Sequence, residues 1–160
     1  MSVGHFLGGI AALIRDPATE RYLLLRRSAQ KDFEARAWEC VTGRVEQGES
    51  YEQALYREVR EETGAEVRIE FLLATTHFYR GVPTPENELL GVLYGCTLEK
   101  HSEVTLGDEH SEMRWLTLAE IDQFLPEGHW LRRTVHKAEK MRRYIPEPLR
   151  LEFRQDGFEV

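Results

Sequence analysis

Cysteine is scarce in this chain: Cys40 and Cys96 are the only two among 160 residues. Both sit in apolar, strand-like surroundings, so no disulfide framework is expected and a reducing, cytoplasmic setting fits the composition. A zinc site would need further ligands at short spacing, and none accompany them. Long apolar runs are missing too. None approaches the ~20 residues that a membrane-spanning helix requires, so no membrane contact is expected. The opening residues lack a basic stretch followed by an apolar one, which argues against a secretion leader. Positive charge is in deficit, with 21 Lys and Arg against 28 Asp and Glu, a net charge of −7. That sign disfavours a nucleic-acid polymer as partner. A small anionic substrate remains compatible, because bound cations reverse the local field.

What is present describes one globular unit. Apolar residues make up 41% and charged residues 31%, and a chain of this length holds one well-packed core more readily than two. A single domain over residues 1–160 is therefore expected, with a helical C-terminal extension from about residue 126. Phe6–Arg15 and Tyr22–Arg26 read as paired strands around the turn Asp16-Pro17-Ala18-Thr19. Ser28–Ala37 is polar and loop-like, and Trp38–Val41 is a short extended piece. Glu66–Tyr79 and Leu89–Leu98 read as longer strands about a Pro-rich loop, and Glu112–Leu116 as a short one. Helices are expected over Ser50–Thr63, about Leu118–Leu125 and about His129–Tyr144, with Pro146–Val160 as an extended arm or last strand. Strands interleaved with helices in this way predict an α+β fold, an α/β/α sandwich with helices on both faces of a mixed sheet.

The helix Ser50–Gly64 carries the functional argument. At about 100° per residue, Ala54, Leu55 and Val59 define its apolar arc. Glu58 and Glu62 fall inside that arc and Glu61 at its edge, where an ordinary amphipathic helix places no acids. Burying carboxylates is costly unless cations neutralise them. Glu58 and Glu62 are one turn apart, on the order of 5–6 Å between side chains, a spacing suited to sharing Mg²⁺ or Mn²⁺. The bland alternative is a surface helix whose acids pair with Arg57 and Arg60.

The preceding loop decides between them. Gly43, five residues, Glu49, seven residues, then Arg57-Glu58-Val59-Arg60-Glu61-Glu62-Thr63-Gly64-Ala65 resembles the Nudix box, G-x5-E-x7-R-E-U-x-E-E-x-G-U, with U a bulky aliphatic residue. Ala65, smaller than the usual last aliphatic, is the one departure. The resemblance implies the Nudix fold and a Mg²⁺- or Mn²⁺-dependent pyrophosphohydrolase acting on a small nucleotide. It implies Glu58 and Glu62 as metal ligands, Glu61 binding metal directly or through water, and a backbone carbonyl from the Gly43 region. Arg57 and Glu49 become an ion pair bracing the loop. More weakly, Leu24-Leu25-Arg26-Arg27 resembles the strand end where MutT-type members carry a phosphate-contacting arginine, assigned to Arg26. Asp108-Glu109-His110 resembles the position of a further glutamate, so Glu109 is a candidate fourth ligand or general base, with Glu61 or Glu112 as alternatives. Arg44 and Arg80 are candidate phosphate contacts, or else solvated loop arginines.

The substrate is less marked. Trp38 to Gly43 with Glu109-His110 resembles the branch that converts nucleoside or pterin triphosphates to monophosphate and pyrophosphate. The proline typical of ADP-ribose-type members and the tyrosine of dinucleoside polyphosphate types find near counterparts in Pro83 and Tyr79, off register; an ADP-ribose, NADH or dinucleoside polyphosphate pyrophosphatase is the alternative. Phe33, Trp38, Phe78 and Tyr79 are candidate base-stacking residues, with core packing the expectation for Trp38. The helix from His129 carries Arg132, Arg133, Lys137, Lys140, Arg142 and Arg143 against Glu139 alone, and caps the pocket, contacts an anion or simply packs; a homodimer is one candidate assembly. A Nudix-like module that binds a nucleotide without cleaving it is the non-enzyme alternative, although such a module is expected to have lost metal glutamates.

Overall fold

The computed structural model describes residues 4–30, 34–100 and 102–159. Its strands are β1 (Leu7–Asp16), β2 (Arg21–Arg27), β3 (Trp38–Glu39), β4 (Val41–Arg44), β5 (Val67–Tyr79), β6 (Glu88–Leu98) and β7 (His110–Leu116). Its helices are α1 (Tyr51–Thr63), α2 (Leu118–Phe124), α3 (Trp130–Tyr144) and α4 (Glu147–Asp156). All the strands join one mixed sheet. β1 lies inside it, parallel to β6 from Leu7↔Leu89 to Arg15↔Thr97. On its other edge β1 pairs antiparallel with β2 only at Arg15 and Asp16. Beyond that hairpin the two strands part, and the segment 38–44 fills the gap. β3 adds to β2 at Leu25↔Glu39 and Arg26↔Trp38, then β4 crosses over to β1 from Ala12↔Val41 to Gly9↔Arg44. Buried Cys40 marks the crossing. Gly43 is thereby delivered to the sheet just ahead of α1.

Strand alternation sorts the core into two layers. Ile10, Ala12 and Ile14 of β1 pack with Ala54, Leu55 and Val59 of α1. Ala11 and Leu13 face the opposite side and pack with Ile121 of α2 and Leu131, Val135 and Ala138 of α3. The expected sandwich, with helices on both faces of a mixed sheet, is what forms. β1 explains why: buried on both sides, it is apolar at every position from Ile10 to Ile14 rather than at alternate ones.

The tail differs from expectation. It is a helix, α4, and not an extended arm. Pro146 and Pro148 suggest extension, but proline is tolerated in a first helical turn, where backbone N–H groups have no intrahelical partner anyway. Arg154 closes the helix onto Glu147 at 2.5 Å and reaches the buried Glu70 carboxylate of β5 at 3.5 Å. Past α4 the chain returns to α1: the Phe158 amide donates to Glu52 and the Glu159 carboxylate accepts from the Tyr51 amide. Among the described residues, no helix is long and apolar enough to cross a membrane.

Candidate active site

α1 is fixed at both ends. Ser50 accepts from the Gln53 amide while the Gln53 side chain accepts from the Ser50 amide, a reciprocal capping box. Gly64 ends the helix in the left-handed conformation that the sequence anticipates there. Between the caps, Arg57 organises the acids. Its Nε and Nη2 donate to the two oxygens of Glu49 at 2.7 and 2.8 Å, a bidentate pair. Nη2 also donates to the Arg44 carbonyl at 2.9 Å, and Nη1 donates to Glu58 at 2.9 Å and Glu61 at 3.2 Å. The Glu46 amide donates to Glu49 as well, tying the loop to the same brace. The guanidinium beside Glu49 holds that carboxyl down at about 2, from an ordinary 4.5.

The box acids divide by depth. Glu61 is 59% exposed, Glu58 15% and Glu62 5%. Burial pushes the Glu58 carboxyl up, and the hydrogen bond from Arg57 opposes that rise. Glu62 lies beneath, 4.0 Å from Nε2 of the buried His110. Gly43 sits directly against Glu58. A Cβ at Gly43 would lie 2.0 Å from the Glu58 carboxyl carbon and 2.3 Å from its Oε1, so only glycine lets the strand backbone and this carboxylate share the space.

Glu109 is placed by the loop that precedes β7. The amides of Thr105 and Gly107 donate to the Thr63 and Glu62 carbonyls at 2.8 Å, sewing that loop to the end of α1. A Cβ at Gly107 would come within 2.7 Å of the Glu62 carbonyl oxygen. Two residues on, the Glu109 carbonyl accepts from the Ser28 amide. Glu109 lines the same pocket as Gly43, Arg44, Glu58 and Arg80, a cavity of about 820 Å³.

Arg26 is placed elsewhere. It contacts Glu112 at 3.4 Å and the Arg36 carbonyl, outside the pocket lining. Its neighbour Arg27 lines the pocket instead. The β2–β7 ladder shifts register between these two residues, and a bulge changes which side chain faces the site. Arg27 is held by Glu39 at 2.9 and 3.0 Å. Glu39 in turn accepts from Thr42 and contacts His110 Nε2 at 3.0 Å. Phe78 and Tyr79 line the pocket, whereas Trp38 packs edge-on against Phe124 with Arg114 over its face, the core role expected of it. Phe33 lies outside the described residues. Glu112 is held by Arg114 and Arg26, which lower its carboxyl. Trp130 and Arg133 of α3, not anticipated as site residues, also line the pocket.

The donor set fits a hard divalent cation in kind: acid side chains from α1 and the β7 loop, and a backbone brought close by a glycine that tolerates no Cβ. Among the described residues, no three acids, imidazoles or thiols converge at ligand spacing; Glu58 and Glu61 are both paired with Arg57.

Comparison with known proteins adds an independent line. A NUDIX domain model matches residues 5–138. An octanoyltransferase of Myxococcus xanthus is 34% identical over 124 residues, 78% of this chain and 33% of that protein. An NAD-capped RNA hydrolase of Mycobacterium bovis is 30% identical over 122 residues, 76% of this chain and 36% of its own length. The chain thus spans about a third of these curated relatives. A MutT protein from Methanosarcina mazei Go1 shares the fold with a TM-score of 0.70 at 24% identity, covering 89% of this chain and 99% of that one.

Proposed function

The chain belongs to the NUDIX family, and from that premise we propose that it is a divalent-metal-dependent pyrophosphohydrolase. Its proposed substrate is a small nucleoside triphosphate-like molecule, and its products are a monophosphate and pyrophosphate. The observation that carries the reading is the Gly43–Glu58 contact in the cavity lining, braced by Arg57 and Glu49. A desolvated carboxylate pressed against glycine backbone has no packing rationale, but it suits a cation bound at that point.

Glu58 and Glu62 are the proposed metal ligands, joined by Glu61, Glu109 and the backbone near Gly43, with Mg²⁺ or Mn²⁺ the proposed ion. When bound, such an ion acidifies water and neutralises phosphoryl oxygens. The chain's own residues position the reaction. Arg57, bidentate to Glu49, sets the angle at which the box loop meets α1. Arg27, held by Glu39, is the proposed phosphate contact in place of Arg26, with Arg44 and Arg80 also in the cavity lining. Glu109 is the proposed general base, since the loop pinned by Gly107 presents it to the cavity. Glu61, drawn to Arg57 and more than half exposed, is the next candidate.

The test is product release from dNTPs, NTPs, dihydroneopterin triphosphate, ADP-ribose, NADH and dinucleoside polyphosphates with Mg²⁺ present. Metal-dependent release of pyrophosphate from triphosphates is expected. Cleavage confined to ADP-ribose, NADH or dinucleotides overturns the substrate class. Nucleotide binding with no turnover of any compound overturns the hydrolase reading.

A further inference from the structure

α4 and the residues behind it lie outside residues 5–138 of the shared domain, yet they end on the helix that carries the box acids. α4 is anchored to the edge strand β5. Arg154 reaches the buried Glu70 carboxylate at 3.5 Å, and Arg68 holds the same group at 3.1 Å. Gly157, at φ = 75°, turns the chain back toward α1. The Phe158 ring then packs against the α1 layer of the core, edge-on to buried Tyr94 at 6.0 Å between centroids and 5.2 Å from Phe153. At α1 the contact runs both ways. The Phe158 amide donates to Glu52 at 2.5 Å, and the Tyr51 amide donates to Glu159 at 2.6 Å. The capping box pairs Ser50 with Gln53, so the Tyr51 N–H, one of the donors that a helix leaves over at its start, is satisfied by the tail.

Tyr51 heads the stripe Tyr51, Leu55, Glu58 and Glu62, spaced i, i+4, i+7 and i+11 on one face of α1. Glu58 follows it by about 10 Å along the axis and lies against Gly43, where not even a Cβ has room. A rotation of about 10° about the axis moves a carboxylate carried ~5–6 Å from it by about 1 Å. A displacement of that size can cost about 10²-fold in rate. We propose that Glu52, Phe158 and Glu159 are positioning residues: the tail fixes the axial and rotational seat of α1, and with it the place at which Glu58 and Glu62 present their oxygens to a cation, an assignment that rests on the pyrophosphohydrolase reading. None of the three is in the cavity lining, so their effect passes through the helix. The coupling is reciprocal, and a cation held by Glu58 and Glu62 in turn tightens the tail.

The experiment compares Glu52→Ala, Glu52→Gln, Phe158→Ala and Ile121→Val with the wild type, all in the full chain. Gln keeps an oxygen that accepts from the Phe158 amide and drops the charge, which separates the bond from the dipole effect of an acid in the first turn. Ile121→Val trims a buried side chain on the opposite face of the sheet and controls for stability alone. Mn²⁺ affinity is read without substrate by electron paramagnetic resonance. Glu52→Ala and Phe158→Ala are expected to weaken it about tenfold, as loss of groups behind metal ligands does. They also lower kcat for the nucleoside triphosphate of highest turnover more than they raise KM. Glu52→Gln recovers most of the loss, and Ile121→Val lowers Tm with Mn²⁺ affinity unchanged. Hydrogen exchange without metal tests the tail apart from the chemistry. Glu52→Ala and Phe158→Ala are expected to speed exchange of the Arg57–Glu62 amides about tenfold, with β1 unchanged. Either of two results overturns the proposal: both variants lower Tm yet bind Mn²⁺ as the wild type does, or faster exchange stays confined to the first turn, Tyr51–Ala54. A wild type that binds no Mn²⁺ sinks the metal-dependent hydrolase reading, and the exchange pattern then decides the role of the tail.

Discussion

Helices α1 and α3 lie on opposite faces of one sheet and handle charge in opposite ways. α1 buries Glu62 to 5% and Glu58 to 15%, and its Arg57 clamps Glu58, Glu61 and the loop acid Glu49 together. α3 buries only Leu131, Val135 and Ala138, and two of its cations are paired with neighbours, Arg132 with Asp122 and Arg142 with the Cys96 carbonyl. The first arrangement carries an electrostatic cost that packing alone does not explain, and the second does not. A helix whose charges are internally frustrated is the one that points to chemistry, whereas net charge taken alone draws attention to the wrong helix.

That contrast can be broken first at Glu58. Glu58→Gln keeps the shape of the acid and removes its charge, and turnover is expected to fall on the order of 10²–10³-fold. The same change should leave Tm at neutral pH unchanged or slightly higher, because burial raises the Glu58 carboxyl and so disfavours its ionised form in the folded protein. A large drop in Tm, or retained turnover in a pyrophosphate-release assay, would count against α1 as the metal platform. Leu131→Ala tests the other helix. It removes a fully buried side chain from the α3 layer, and denaturant unfolding should record a loss of about 2–5 kcal/mol.

The loop that carries Glu109 gives a smaller, sharper effect. Gly107→Ala places a methyl 2.7 Å from the Glu62 carbonyl, forcing the loop off α1 at a cost of about 1–3 kcal/mol. The expected signature is a fall in kcat greater than any change in KM. An unaltered kcat with intact fold would detach Glu109 from the reaction. The mildest change concerns the brace. Glu49 has its carboxyl lowered to about 2 in the fold against an ordinary 4.5. Its contribution is complete above about 4.5 and is lost as pH falls through about 2. In Glu49→Gln, acid unfolding over that window should become shallower, and a titration curve identical to wild type would refute the assignment.

The readable parts of the molecule are those set by local spacing. The box from Gly43 to Ala65 fixes which acids share a face whatever the rest of the chain does, and β1 declares its double burial by an unbroken apolar run. Which of Arg26 and Arg27 lines the cavity was not readable. Adjacent residues on a strand point to opposite faces, and the register shift between these two arises from pairing with β7, far along the chain. Gly107 looks like any loop glycine until the α1 carbonyls come to rest against it. Trp130 sits on the seam between an apolar stripe and a cavity, and only the cavity distinguishes it from a core residue. α4 was hidden by two prolines, yet Pro146 stands at its N-cap and Pro148 in its first turn, where both are compatible with a helix.

The placement of β1 also bears on how quickly the protein folds. Its partners come from separate stretches, the short segment 41–44 on one edge and the long run 89–97 on the other. The parallel partner can join only after some eighty residues of intervening chain have been looped back, which gives no return in contacts until closure is nearly complete. Until then, Tyr94 and Cys96 of β6 are missing from the core that shelters Ala54, Leu55 and Val59. Completion of the core beneath the acidic helix is thus a late event. Folding measured in milliseconds to seconds, with little native helix signal ahead of the main phase, is the kinetic signature this sheet order implies.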